Sequence, residues 1–113
     1  MKGKRILLVE DEYFIVQDLA YAFTAAGAEV VGPAATVGEA LRLIAANALD
    51  GAVLDINLQG ERVYAVADAL ATRGVPFIFT TGYDRDEIPQ RFVHYKRCEK
   101  PVQPEQILRA LFP

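Results

Sequence analysis

Apolar residues follow two rhythms along this chain: short unbroken runs, and longer stretches in which they recur every three or four positions. Arg5–Val9 reads Arg-Ile-Leu-Leu-Val and stops at acid, the pattern of a strand buried on both faces of a parallel sheet, and we take it as the central strand. Residues 51–54 and 77–79 repeat that pattern, the latter opened by Pro76. Glu29–Ala34 carries Val30 and Val31 but contains Pro33, which withholds a backbone donor and suits a place near a sheet edge. Residues 95–99 hold Lys96, Arg97 and Glu99, too polar for a central strand and acceptable at an edge.

Between these runs the spacing becomes helical. Residues 13–26 put Ile15, Val16, Leu19, Ala20, Phe23 and Ala26 on one side, and Gly27 follows where a left-handed exit residue is wanted. Thr36, with Glu39 three positions on, forms a capping box: the hydroxyl accepts from the third helical N–H and the carboxylate reaches back to the cap. Val37, Ala40, Leu41, Ile44 and Ala45 then form an apolar stripe. Residues 62–72 turn Val63, Val66, Ala67 and Leu70 inward before Gly74. A turn-rich loop is expected over 80–85 and a short helix over 87–93, with Pro89 in its first turn. Pro104 opens the last helix, whose Ile107, Leu108 and Leu111 face inward. Strand and helix alternate with short connections, which predicts the α/β class and a doubly wound five-stranded parallel sheet with helices on both faces.

Composition narrows the function classes. A chain of 113 residues can bury one layered core, so we expect one domain over 1–113 with no output domain attached. The net charge of -3 argues against a nucleic-acid surface. No apolar stretch approaches the about 20 residues that cross a bilayer, and residues 1–5 form no apolar leader, so a cytoplasmic location away from the membrane is expected. Cys98 has no second cysteine to pair with and is expected to serve as a small buried apolar group, with His94 on the surface. Tyr13, Phe14, Tyr21 and Phe92 are expected to be partly exposed.

The chemistry lies just past the strands. In an open parallel sheet, ligands bind beyond the carboxyl ends of the strands, and there this chain carries Glu10, Asp11 and Glu12, then Asp55, Thr81 and Lys100. Glu10, Asp11 and Asp55 together would repel one another unless a cation is present. Mg2+, which takes oxygen ligands from one or two carboxylates and keeps several waters, answers that need. Lys100 can pair with Asp55 in the empty site and with a phosphoryl oxygen in the filled one, and Thr81 can donate a hydroxyl hydrogen bond to the same group. A carboxylate is a competent nucleophile towards phosphorus, and Asp55 is placed for that role. Glu12 reads as a helix-start charge favoured by the macrodipole and is left out of the metal set.

Four segments, Ile6-Leu-Leu-Val-Glu-Asp-Glu12, Val53-Leu-Asp-Ile-Asn-Leu58, Thr81-Gly82 and Lys100-Pro101, resemble in order and spacing the receiver domains of two-component response regulators. The resemblance covers the whole chain. It implies a flavodoxin-like sheet of order 2-1-3-4-5, Asp55 as phosphoacceptor, Asp11 and Asp55 as direct Mg2+ ligands, Glu10 acting mainly through water, and the backbone carbonyl of Asn57 as the remaining ligand. Thr81 then looks like the switch hydroxyl and Lys100 like the phosphate-contacting lysine. The implied function is a single-domain response regulator in a two-component or phosphorelay system. It would take a phosphoryl group from a sensor histidine kinase or a histidine phosphotransfer protein and signal by binding a downstream protein or passing the group on. Such a domain acts only on itself and is not an enzyme in the turnover sense.

Pro76-Phe-Ile-Phe-Thr-Thr-Gly-Tyr-Asp84 also resembles the FATGUY subgroup of single-domain receivers, with Thr80 where that motif has alanine. The family has an aromatic residue three positions before the lysine, where this chain has Arg97. Either Tyr83 or Tyr95 takes over that part, or the signal runs through the loop from Thr81 to Glu87 and the short helix after it. Two other classes compete. One is a receiver-shaped binding module that works without phosphorylation, against which Asp11, Asp55, Thr81 and Lys100 all speak. The other is a small-molecule enzyme, disfavoured because no glycine-rich G-x-G-x-x-G or P-loop signature occurs and Asp55-Ile-Asn57 lacks the second aspartate of the common aspartate-nucleophile phosphatases.

Overall fold

In the computed structural model, which describes residues 2–82 and 88–113, the unbroken apolar runs become the middle of one sheet. Along the chain come β1 (Arg5–Val9), α1 (Tyr13–Ala25), β2 (Glu29–Ala34), α2 (Val37–Ala46), β3 (Gly51–Asp55), β4 (Asn57–Leu58), β5 (Glu61–Arg62), α3 (Tyr64–Thr72), β6 (Phe77–Thr81), β7 (Arg97–Glu99) and α4 (Pro104–Leu111). The sheet is parallel throughout, in the order β2-β1-β3-β6-β7. This is the expected 2-1-3-4-5 order once the small antiparallel β4–β5 hairpin is left out of the count.

Alternation along the strands divides the core. Leu7, Val9, Leu54 and Phe79 pack under α2 and α3, whereas Ile6, Leu8, Val53 and Ile78 pack under α1 and α4. A strand covered on both faces has no solvent side to fill with polar residues, hence the continuous runs. Each such Leu, Ile or Phe contributes about 1.5–3 kcal/mol by leaving water. The close fit at the end of α4 is visible at Gly51, where an added Cβ would stand 3.4 Å from Leu111 and 3.1 Å from the ring of Phe112 just beyond the helix.

The capping box at α2 forms with one change. The Thr36 hydroxyl accepts from the Glu39 N–H at 3.1 Å, but the Glu39 carboxylate accepts from that same hydroxyl instead of from the cap's backbone. A carboxylate from outside joins it: Glu61 Oε1 accepts from the Val37 N–H at 3.1 Å, fastening the β4–β5 hairpin to the start of α2.

Several boundaries differ from expectation. β6 continues through Thr80 and Thr81 where a loop was expected, because both pair with β7 in register. α3 begins at Tyr64 and not at residue 62, since Glu61 and Arg62 are drawn into the hairpin, whose turn is closed by Asn57 Oδ1 accepting from the Gly60 N–H at 2.6 Å. The helix expected over 87–93 is a single 3-10 turn at Gln90–Phe92; Glu87 lies outside the described residues. The last strand begins at Arg97 because Tyr95 closes the preceding turn, its N–H donating to the Phe92 carbonyl and its ring stacked on Phe77 at 4.6 Å. Phe92 is buried, packed against Tyr64, Phe77, Phe79 and Tyr95, and so departs from the exposure expected of it. Tyr13, Phe14 and Tyr21 are exposed as expected, and His94 lies at the surface. Cys98 is only partly buried, against the α1/α4 side of the core. Among the described residues no helix is long and apolar enough to cross a membrane.

Candidate functional site

Parallel strands that all point one way bring their carboxyl ends to one edge, and the polar residues after them meet there. Glu10 follows β1, Asp55 ends β3, Thr81 ends β6 and Lys100 follows β7. Ligand oxygens of Glu10, Asp11 and Asp55 lie within 4.8 Å of one another. Glu10 and Asp55 are buried, 3% and 4% exposed, and are the buried acids among the described residues.

Each carboxylate is held by specific donors. Glu10 Oε2 accepts from the backbone N–H groups of Asp11 and Glu12, both at 3.1 Å, which ties the acid to the chain as it enters α1. Asp55 Oδ1 accepts from the Asn57 N–H at 3.2 Å, and its Oδ2 lies 3.1 Å from the Lys100 ammonium. Lys100 Nζ also approaches Glu10 Oε1 at 3.3 Å and Glu12 Oε1 at 3.0 Å. Lys100 is set in place by its own backbone, whose N–H donates to the Thr81 carbonyl at 2.8 Å.

Crowding shows in the ionisation of the group. Burial pushes the Glu10 carboxyl up to about 8, and hydrogen bonding and repulsion from Asp55 add to the rise; the Glu12 N–H and Lys100 oppose it. For Lys100, burial acts to lower the pKa, but the bond to Glu12 and the charges of Glu10 and Asp55 outweigh it and raise the net value. One ammonium thus faces more negative charge than it neutralises. Three hard oxygen donors converging with that surplus fit a small divalent cation such as Mg2+.

The expected residues Glu10, Asp11, Asp55 and Lys100 therefore converge. Asn57 is exposed at the start of the hairpin, beside Asp55, and Thr81 is half-buried at the end of β6. Arg97 is exposed on the edge strand. Tyr83 lies outside the described residues, as does most of the loop to Glu87. Sequence reasoning underrated Glu12, whose carboxylate bonds Lys100; the signal was its place as third acid in Glu10-Asp11-Glu12. It also gave Thr80 no part beyond the subgroup motif. That residue pairs in register with Asp55 and Cys98, and its hydroxyl is buried with no hydrogen-bond partner among the described residues. Beside the acids a groove of about 520 Å³ opens between the first turns of α1, with Glu12, Ile15 and Asp18, and the segments holding Gly82, Lys100 and Val102.

Comparison with known proteins agrees with this geometry. Residues 6–112 match the model of the response regulator receiver domain. The chain is 36% identical over 111 residues to the phyllosphere-induced regulator PhyR of Methylorubrum extorquens, a match over 90% of this chain and 40% of that relative. It thus spans less than half the length of that curated protein. Among solved structures, SdrG from Sphingomonas melonis Fr1 is 36% identical and superimposes with a TM-score of 0.85 over 98% of both chains. A CheY-like receiver domain protein from Methanospirillum hungatei JF-1 is 30% identical, with a TM-score of 0.82 over 96% of this chain and 90% of that one. Because that family model spans residues 6–112, nearly the whole chain, this chain belongs to the response regulator receiver domain family.

Proposed function

We propose that Asp55 accepts a phosphoryl group from a phosphohistidine of a sensor histidine kinase or histidine phosphotransfer protein, in a two-component or phosphorelay system. The observation that carries this reading is the convergence of Glu10, Asp11 and Lys100 on the nearly buried Asp55. Glu10, Asp11, Asp55 and the Asn57 carbonyl would hold Mg2+, which when bound neutralises charge on the transferring group. Asp55, held by the Asn57 N–H, presents a carboxylate oxygen to phosphorus. A P–O bond forms as the P–N bond of the donor breaks, and the electron pair of the broken bond stays on the donor's imidazole nitrogen. Lys100 turns from Asp55 to a phosphoryl oxygen, and Thr81 donates its hydroxyl to another. The groove beside Lys100 is open to an incoming imidazole side chain.

Water later attacks the phosphorus of the acyl phosphate, the P–O bond to Asp55 breaks with its electron pair returning to the carboxylate, and inorganic phosphate leaves, so the domain works upon itself and turns over no separate substrate. Signalling follows through phosphorylation-dependent binding of a downstream protein or onward transfer of the group, in the cytoplasm and without nucleic acid. SdrG, similar to this chain over 100% of both chains at 35% identity, has been solved in a BeF3-activated conformation, which supports an activated state here. The test is incubation with acetyl phosphate and Mg2+, followed by intact mass. We expect the wild type to gain one phosphoryl group and Asp55→Asn to gain none. Modification of both proteins, or of neither, would overturn the reading in favour of a binding module that does without phosphorylation.

A further inference from the structure

We propose that Glu12 is a positioning residue for Lys100: it gives the ammonium an acceptor at the rim of the acidic pocket to which it withdraws when a metal takes the carboxylates of Glu10 and Asp55. The inference rests on the metal reading given under Proposed function. An ammonium has three N–H donors, and here three carboxylates compete for them, Glu12 at 3.0 Å, Asp55 at 3.1 Å and Glu10 at 3.3 Å. Two of the three acceptors belong to the Glu10, Asp11 and Asp55 cluster. Glu12 does not.

A divalent cation on that cluster and the Lys100 ammonium would claim the same oxygens and repel each other at a separation of a few ångströms. One must withdraw. With Glu12 present the amine withdraws to an acceptor it already touches; without Glu12 it stays on Glu10 and Asp55 or goes unpartnered. Two features leave Glu12 available for this. It occupies the cap position of α1 in an extended conformation, yet its side chain makes no capping bond to the helix. Its backbone N–H is bound to Glu10 Oε2, which fixes where its side chain starts relative to the acids. Its own side chain is 60% exposed, while that of Lys100 is 14% exposed, so the pair spans the boundary between pocket and solvent.

The test is Mg2+ binding, measured by calorimetric titration at constant ionic strength on wild type, Glu12→Gln, Lys100→Met and the double variant. Glu12→Gln should weaken binding about threefold, the size expected of an ion pair with one exposed partner. Lys100→Met should strengthen it, because the competitor is gone. In the Lys100→Met background the Glu12→Gln change should fall below about 1.5-fold, since the two act as a unit. An equal weakening in both backgrounds would mean a through-space charge effect and would overturn the proposal. So would unchanged affinity in Glu12→Gln, including the case where only the metal-free melting temperature falls, which would mark a helix-start charge. Absence of Mg2+ binding by the wild type would refute the metal reading itself, and this inference with it.

Discussion

Glu10 couples the stability of the metal-free fold to pH. Its carboxyl is raised from the ordinary 4.5 to about 8, first by burial and then by Asp55. A raised folded-state value means the native chain holds a proton that the unfolded chain has released between those two pH values. Stability from this group is therefore fully present below about pH 4.5 and declines as pH rises towards 8. One proton is worth about 1.4 kcal/mol per pH unit, so the window from 4.5 to about 8 sets a ceiling of about 5 kcal/mol. The range from pH 5 to pH 7 spans two of those units, and we expect about 2 kcal/mol lost across it. The assay is urea denaturation in a metal chelator across that range, comparing wild type with Glu10→Gln, a neutral side chain of the same shape. The wild type should lose stability relative to the variant as pH rises, and saturating Mg2+ should flatten the difference by neutralising the carboxylates in place of the proton. Parallel pH profiles for the two proteins without metal would refute the reasoning.

Two further outcomes are expected. Asp11→Ala should lose most Mg2+ affinity and acetyl phosphate labelling together, because too few fixed oxygens remain; a titration showing unchanged affinity would remove Asp11 from the ligand set. Phe92→Ala should cost about 3–5 kcal/mol in chemical denaturation, since the ring is 3% exposed and meets four other aromatic rings. A loss below about 1 kcal/mol would mean that this turn is not part of the core.

Much of the architecture follows from local pattern. Unbroken apolar runs in β1, β3 and β6 signal burial on both faces, and three-to-four spacing in α1 to α3 signals helices that cover them. Those two periods suffice for the α/β class and the parallel sheet, and the acids and the lysine just after the runs suffice to name Glu10, Asp11, Asp55 and Lys100 as neighbours. The reason is geometric: parallel strands with helical crossovers must all end at the same edge.

What depends on contacts between distant segments was not written locally. Glu61 and Arg62 have helix-compatible side chains, yet they join a hairpin because Asn57 accepts from Gly60 and Glu61 reaches the start of α2. Phe92 sits in a segment of weak pattern, and only the surrounding rings of Tyr64, Phe77, Phe79 and Tyr95 bury it. Glu12 looked like a helix-start charge because its partner is 88 positions away along the chain. Sequence period reports which face of an element is dry; which particular groups touch across the molecule is decided when all elements pack at once, and in this protein that step sets the charge balance around Asp55.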